Sequence, residues 1–222
     1  MNEELWTAVD EYIAKLLVQS DPVLEGVLQS TSAHGLPAIN VSAPQGKFLH
    51  LLASVMHAQR ILEIGTLAGY STIWLARALP AHGKLITLEV DPKHAQVAQE
   101  NFLQADLGAI IELRLGQALN TLPVLFEESP PPFDLIFIDA DKPNNPHYFA
   151  WALKLARIGS LIIVDNVVRK GEVIDSQSND LNVLAVRQMN DLIAAQPRVS
   201  ATIMQTVGSK GYDGFLLAQV IS

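Results

Sequence analysis

Five short apolar runs, each closed by a glycine or an aspartate, recur between stretches of helical periodicity, and this alternation constrains the chain more than any other feature. The runs are Arg60–Ile64, Lys84–Val90, Ile110–Leu115, Phe133–Asp139 and Ser160–Asp165. They are too short for core helices and rich in Ile, Leu and Val, which reads as strands buried on both faces. The intervening segments Ser71–Leu79, Asp91–Ala105, Ala118–Phe126, Tyr148–Ala156 and Leu181–Ala195 read as helices. Strands alternating with helices define βαβ units and a largely parallel sheet, with helices on both faces. Val199–Val207 and Gly214–Val220 break the rhythm: only GSKGYD separates them, a link short enough for an antiparallel hairpin at a sheet edge.

The N-terminal quarter is helical. Leu5, Val9, Ile13 and Leu16 form an apolar stripe along Asn2–Val18. Asp21-Pro22 supplies an N-cap and an N1 proline for a second helix running to about Ser32. HGLPAINVS, from His34, is a loop, and Pro44 opens a third helix with Phe48, Leu51, Leu52 and Val55 on one face.

The 222 residues suit one domain, and 49% hydrophobic with 17% charged residues argues against disorder. A net charge of −8 offers no basic excess for a nucleic-acid backbone, so no nucleic-acid partner is expected. The absence of cysteine excludes disulfides, thiol nucleophiles and thiolate metal sites. No basic n-region precedes an apolar run and no apolar stretch approaches the ~20 residues of a membrane span, so a cytoplasmic protein without a membrane partner is expected.

Three constellations could carry chemistry, all at the C-terminal ends of strands, where an open α/β sheet places its ligand crevice. Glu63-Ile64-Gly65-Thr66-Leu67-Ala68-Gly69-Tyr70-Ser71 turns from the first strand into a helix. Its glycines let backbone N–H groups approach a ligand, but Leu67 fills the position that a pyrophosphate needs as glycine. Glu89, ending the second strand, is placed to accept hydrogen bonds from both hydroxyls of a ribose. Loop and acid together read as a nucleoside site; NAD(H) and S-adenosylmethionine are both candidates, with Leu67 favouring the second. The third constellation is Asp139-Ala140-Asp141-Lys142 after the fourth strand with Asp165-Asn166 after the fifth. Neighbouring strands lie about 4.8 Å apart, so these ends can share one hard cation such as Mg²⁺ if the strands are adjacent.

The segments VSAPQGKFL from Val41, EIGTLAGYS from Glu63, LEVDP from Leu88, GQAL from Gly116, FIDADK from Phe137, IIVDN from Ile162 and the GSKGYDGFLLA tail occur in one order. In that order and spacing the chain resembles the cation-dependent, S-adenosylmethionine-dependent O-methyltransferases, the group holding catechol and caffeoyl-CoA O-methyltransferases. The resemblance implies a seven-stranded Rossmann-like sheet with an antiparallel last strand. It implies cofactor contacts at Val41, Glu63, Gly65, Thr66, Ser71, Glu89, Ala118 and Asp139. It further implies a divalent cation (Mg²⁺, or Mn²⁺ or Ca²⁺) on Asp139, Asp165 and Asn166, with Lys142 and Asp139 in catalysis. A phenolic acceptor, a catechol or a hydroxycinnamoyl compound, and a homodimer are also implied.

Departures from the resemblance stand out in two places. Caffeoyl-CoA-type members tend to carry Trp where Arg169 stands, and the aromatic after the metal-binding aspartate of catechol O-methyltransferase is replaced by Ala140-Asp141. Arg169 points to a more polar or charged acceptor, or is a solvated loop residue. Tyr212 and the His34–Asn40 loop are expected near the acceptor, while His50 and His57 are expected in packing or surface roles. The expected organisation is therefore a single methyltransferase domain over residues 1–222, with helices 1–58 as a cap or dimer element. The competing expectations are an NAD(P)-dependent oxidoreductase and a non-catalytic S-adenosylmethionine-binding module.

Overall fold

The structure, a computed structural model, describes residues 3–19 and 21–222. The order is α1 (Glu3–Ile13), a π-helical turn (Ala14–Val18), α2 (Pro22–Ala33), α3 (Ala43–Val55), β1 (Arg60–Ile64), α4 (Tyr70–Ala76) and β2 (Lys84–Glu89). Next come α5 (Pro92–Gln104), β3 (Ile111–Leu115), α6 (Ala118–Glu127), β4 (Phe133–Ile138), a 3₁₀ turn (Lys142–Asn144) and α7 (Asn145–Leu155). The chain ends with β5 (Ala156–Asp165), 3₁₀ turns over Arg169–Ile174, α8 (Leu181–Ala194), β6 (Val199–Gly208) and β7 (Gly211–Val220). Asn2, where the first helix was expected to begin, lies outside the described residues.

Seven strands form one sheet in the order β3-β2-β1-β4-β5-β7-β6. The first five pair in parallel, and β7 runs antiparallel between β5 and β6. This is the seven-stranded Rossmann-like arrangement that the family resemblance implies, and its five parallel strands are those expected from the alternation. Successive strand residues feed two cores, as the two-residue period requires. Leu62, Ile64, Ile136, Ile138, Ile162 and Val164 meet α6, α7 and α8 on one face. Ile61, Leu85, Leu135, Phe137 and Ile163 meet α2, α3, α4 and α5 on the other.

Local signals explain most boundaries. The Asp21 carboxylate accepts from Val23 N and Leu24 N, and the Asp91 carboxylate from Lys93 N and His94 N, each ahead of a proline at the helix start. Ser42 caps α3 through Gln45 N. The β6–β7 turn is tighter than expected: Gly208 pairs with Gly211, leaving only Ser209 and Lys210 between the strands. β5 starts earlier than expected because its register against β4 shifts between Phe133 and Leu135, and Ser160 Oγ bonds Phe133 O at 2.7 Å across the irregularity.

Two N-terminal helices turn apolar side chains outward. In α3 the residues turned inward are Gly46, Leu49 and Ala53, while Leu51 is 49% and Val55 77% exposed. Gly46 decides this orientation. A Cβ there would lie 2.3 Å from Trp74 Cδ1, so the glycine lets α3 lie directly on α4, and the bulkier stripe turns outward. In α1 no residue is buried, and Leu5 and Val9, with Leu16 in the π-helical turn that follows, are exposed. The helix is tied to the β6–β7 turn by the Asp10 carboxylate, which accepts from Ser209 N and Oγ. Among the described residues no helix is long and apolar enough to cross a membrane.

Candidate active site

A cavity of about 720 Å³ opens over the C-terminal ends of β1, β2 and β4, at the point where strand order reverses. The register sets its walls. Ile64 pairs with Leu88 on one side and Ile138 on the other, so Gly65 emerges between Glu89 and Asp139. Gly65 has φ +99°, and a Cβ there would lie 2.4 Å from Asp139 O; no other residue fits between these strand ends. Gly69, in the left-handed region, starts α4 and leaves room for Phe102.

Two acids organise this turn. Glu89 Oε2 accepts from Thr66 N at 3.2 Å and Leu67 N at 2.8 Å, and its Oε1 accepts from Val90 N and Asp91 N. The residue expected to meet a ribose therefore also holds the glycine turn in shape. Glu63 is fully buried and does not reach the cavity wall. Its carboxylate accepts from the hydroxyls of Ser71, Thr72 and Thr87. Burial pushes the Glu63 carboxyl up to about 7, against the three hydroxyl donors and with help from the negative Asp139. In this structure Glu63 braces the turn from beneath, through Ser71 at the start of α4 and Thr72 and Thr87 beside it.

The other expected cofactor residues, Val41, Gly65, Thr66, Ser71, Glu89, Ala118 and Asp139, all line the cavity. So do Asn166 and Lys142. Ile39 and Asn40 bring the His34–Asn40 loop to the rim, held from outside by Lys210 Nζ on Ala38 O at 3.1 Å. Tyr212 stays away from the cavity and hydrogen-bonds Gln205. His50 bonds the Trp74 carbonyl, as expected of a packing residue.

β4 and β5 are adjacent and parallel, with Ile138 paired to Val164, so Asp139 and Asp165 leave the sheet side by side. Asp165 is 6% exposed, and its carboxyl is pushed up to about 7 by burial first and by the charge of Asp139 second. Two like charges confined together are relieved by a cation between them. Oxygen donors of this kind suit a hard divalent ion, and Asn166, held in the left-handed region at φ +58°, adds an amide at the same edge. The residues present thus fit such an ion. Among the described residues no group of three or more His, Asp or Glu side chains forms an alternative cradle. Lys142, almost buried, donates from Nζ to Asp139 Oδ1 at 2.8 Å.

Two features of the site escaped the sequence reading. Gln45 Nε2 donates to Asp165 Oδ2 at 2.8 Å; the residue lies in the quoted VSAPQGKFL segment, but nothing local shows its partner. Tyr148 OH and Asn144 Nδ2 both donate to Asp141, at 2.6 Å each, closing the wall below Lys142. Burial and the neighbouring Asp141 carboxylate raise the Tyr148 hydroxyl above its ordinary value, so it stays a donor.

Comparison with known proteins agrees with this geometry. The O-methyltransferase family model matches residues 15–221, and the chain belongs to that family. It is 53% identical to a catechol O-methyltransferase of Niastella koreensis over 220 residues, 99% of this chain and 100% of that one. The structure of an O-methyltransferase from Bacillus cereus in complex with SAH superimposes with a TM-score of 0.97 at 58% identity, covering 98% of this chain and 99% of that one. That of TomG from Streptomyces achromogenes, in complex with SAM, gives a TM-score of 0.97 at 48% identity over the full length of both chains. The protein is therefore an O-methyltransferase, and the oxidoreductase alternative falls.

Proposed function

We propose that this enzyme moves the methyl group of S-adenosylmethionine to a hydroxyl of a small catechol-like or hydroxycinnamoyl-type acceptor, with a divalent cation held by Asp139, Asp165 and Asn166. The observation that carries the reading is the level exit of Asp139 and Asp165 from adjacent strands, with Lys142 at 2.8 Å, on the rim of the cavity built by the glycine turn. Relatives and structural neighbours named for catechol O-methylation, or holding SAM or SAH, support it. Mg²⁺ is the preferred ion, because hard oxygen donors suit it.

The residues divide the work. The Gly65–Gly69 turn, Val41, Ser71 and Ala118 enclose the nucleoside and amino-acid parts of the methyl donor, and Glu89 faces its ribose. When bound, the cation supplies Lewis acidity and a template for two vicinal oxygens. A phenol ionises near pKa ~10, so its oxygen is a weak nucleophile at neutral pH. Lys142 is placed to take the phenolic proton or to hold the resulting oxyanion, and Asp139 fixes the lysine in position. The oxygen–methyl bond then forms as the sulfur–methyl bond breaks, leaving S-adenosylhomocysteine. That step needs in-line alignment above all.

Helices 1–58 present exposed Leu16, Leu17, Leu51 and Val55, and we assign this face to a homodimer contact.

The deciding experiment incubates the purified protein with labelled S-adenosylmethionine and a catechol panel, with Mg²⁺ or with EDTA. The expected result is methyl transfer abolished by EDTA and restored by Mg²⁺. Transfer that persists in EDTA removes the cation from the reading. Tight S-adenosylhomocysteine binding without transfer to any catechol favours a binding module instead.

A further inference from the structure

The rim of the cavity is fastened unevenly. Leu36 and Val41 are buried, and Ser42 caps α3, so both ends of the loop that follows α2 are fixed. The residues between them, 37–40, are exposed or half-buried, and Ile39, at 71% exposure, and Asn40 both line the cavity. Asn40 Nδ2 donates to the next residue, to Val41 O at 2.9 Å. Among the described residues, one hydrogen bond ties this segment to another part of the fold: Lys210 Nζ to Ala38 O at 3.1 Å. A segment so sparsely bonded belongs to the low-stability end of a structure and opens locally at little cost.

The lysine at the other end of that bond stands on a fixed support. With Ser209 it forms the two-residue turn between β6 and β7, where Gly208 pairs with Gly211. Asp10 of α1 grips the turn: its Oδ2 accepts from Ser209 N at 2.8 Å and from Ser209 Oγ at 2.9 Å. A Cβ on Gly208 would stand 2.5 Å from the same oxygen, so the glycine is what admits the carboxylate. Asp10 is thereby spent on the turn, and among the described residues no carboxylate pairs with Lys210. Its partly desolvated ammonium has the Ala38 carbonyl as its acceptor. Residues 10, 38 and 210 come from distant segments, so these contacts join the first helix and the last hairpin to the cavity rim.

We infer that Lys210 is a positioning residue for the methyl donor: through Ala38 it latches residues 37–40 at the mouth of the cavity and, with Asp10 behind it, sets how long the bound nucleoside stays. Lys210 does not line the cavity and acts through the loop alone. The latch touches neither Lys142 nor the acids at the strand ends, so its loss speeds ligand release and leaves association nearly unchanged. The inference rests on the reading of the cavity as the S-adenosylmethionine site and deepens it.

The test follows dissociation of S-adenosylhomocysteine from the full chain by surface plasmon resonance, in the wild type, Lys210→Met, Lys210→Arg and Asp10→Ala. Methionine keeps the apolar stem and removes the donors. Lys210→Met is expected to speed release about 3- to 10-fold, the range of one partly exposed hydrogen bond. Lys210→Arg keeps a cationic donor and should stay within about twofold of the wild type. Asp10→Ala should speed release by a smaller factor, and should add little once Lys210 is replaced by Met, because both act through one contact. A dissociation rate is read from folded, loaded molecules, so partial loss of folded protein does not imitate the effect. Release at the wild-type rate from Lys210→Met overturns the inference. Acceleration equally large in Lys210→Arg also overturns it, because the effect then traces to packing of the stem. A raised KM for a catechol with unchanged S-adenosylhomocysteine release overturns it too, and gives the loop to the acceptor. No binding of S-adenosylhomocysteine by the wild type overturns the reading of the cavity itself, and the inference with it.

Discussion

Gln45 and Asp165 lie 120 residues apart in sequence, yet Gln45 Nε2 donates to Asp165 Oδ2 at 2.8 Å and so ties the first turn of α3 to the end of β5. The bond fixes one oxygen of a buried acid whose other oxygen accepts from Asn166 N. Removing it leaves the carboxylate free to turn, and a hard cation demands tight ligand geometry. Gln45→Ala is expected to raise the Mg²⁺ concentration needed for half-maximal methyl transfer by about 10-fold or more. S-adenosylhomocysteine affinity, measured by calorimetry, should change little. An unaltered Mg²⁺ dependence would show the bond to be incidental.

Glu63 makes a prediction about pH. Its carboxyl ionises at about 7 in the folded chain against an ordinary 4.5. Between those values the native state holds a proton that the unfolded chain has lost. Its contribution is therefore complete below the unfolded value and is lost as pH rises through about 7. Glu63→Gln has no proton to lose, so its Tm should fall less than that of the wild type between pH 5 and pH 8. The difference is up to about 3 kcal/mol. Scanning calorimetry at both pH values checks this, and parallel Tm profiles would mean that Glu63 is ionised throughout.

Gly65 cannot carry a side chain without displacing the Asp139 carbonyl, and its φ of +99° penalises any L-residue. Gly65→Ala should lower stability by more than about 1 kcal/mol. S-adenosylhomocysteine affinity should fall more than 10-fold, because the turn and the Asp139 strand end are pushed apart. Binding at wild-type strength would show that the turn adapts.

Asp134, at the opposite end of β4, collects the N–H groups of Gln59 and Arg60 and the Arg157 guanidinium. Burial pushes its carboxyl up, but these donors outweigh it and hold the group below its ordinary 3.8. The stabilisation is present above that value and disappears as pH falls through the lower, folded one. Asp134→Asn should cost about 1–3 kcal/mol at neutral pH and flatten the acid limb of the stability curve. Urea unfolding at pH 7 and pH 3 measures both effects.

Much of this was legible in the residues. The five apolar runs became parallel strands, Asp21-Pro22 and Asp91-Pro92 became capped helix starts, and the short link near the C-terminus became the β6–β7 hairpin. Most of the expected cofactor positions line a single cavity. What the residues do not record depends on a partner distant in sequence. The inward face of α3 is set by Gly46 packing against Trp74, and no count of apolar spacings contains that contact. Glu89 is expected at a ribose from its place at a strand end, and Glu63 at the cofactor from the family resemblance. That Glu89 also fastens the turn, and that Glu63 braces it through Ser71, Thr72 and Thr87, emerges only once β1 and β2 lie side by side.

The sequence by itself determined the kind and order of the elements and the crowding of its acids, glycines and lysine at strand ends. Helix period, strand alternation and capping are interactions among residues within about one turn of each other, so they are written locally. The tertiary structure alone decided that β4 lies between β1 and β5, which sets Asp139 beside both Gly65 and Asp165. Lateral strand order follows from burying both faces of the whole sheet at once, a balance that no single segment records.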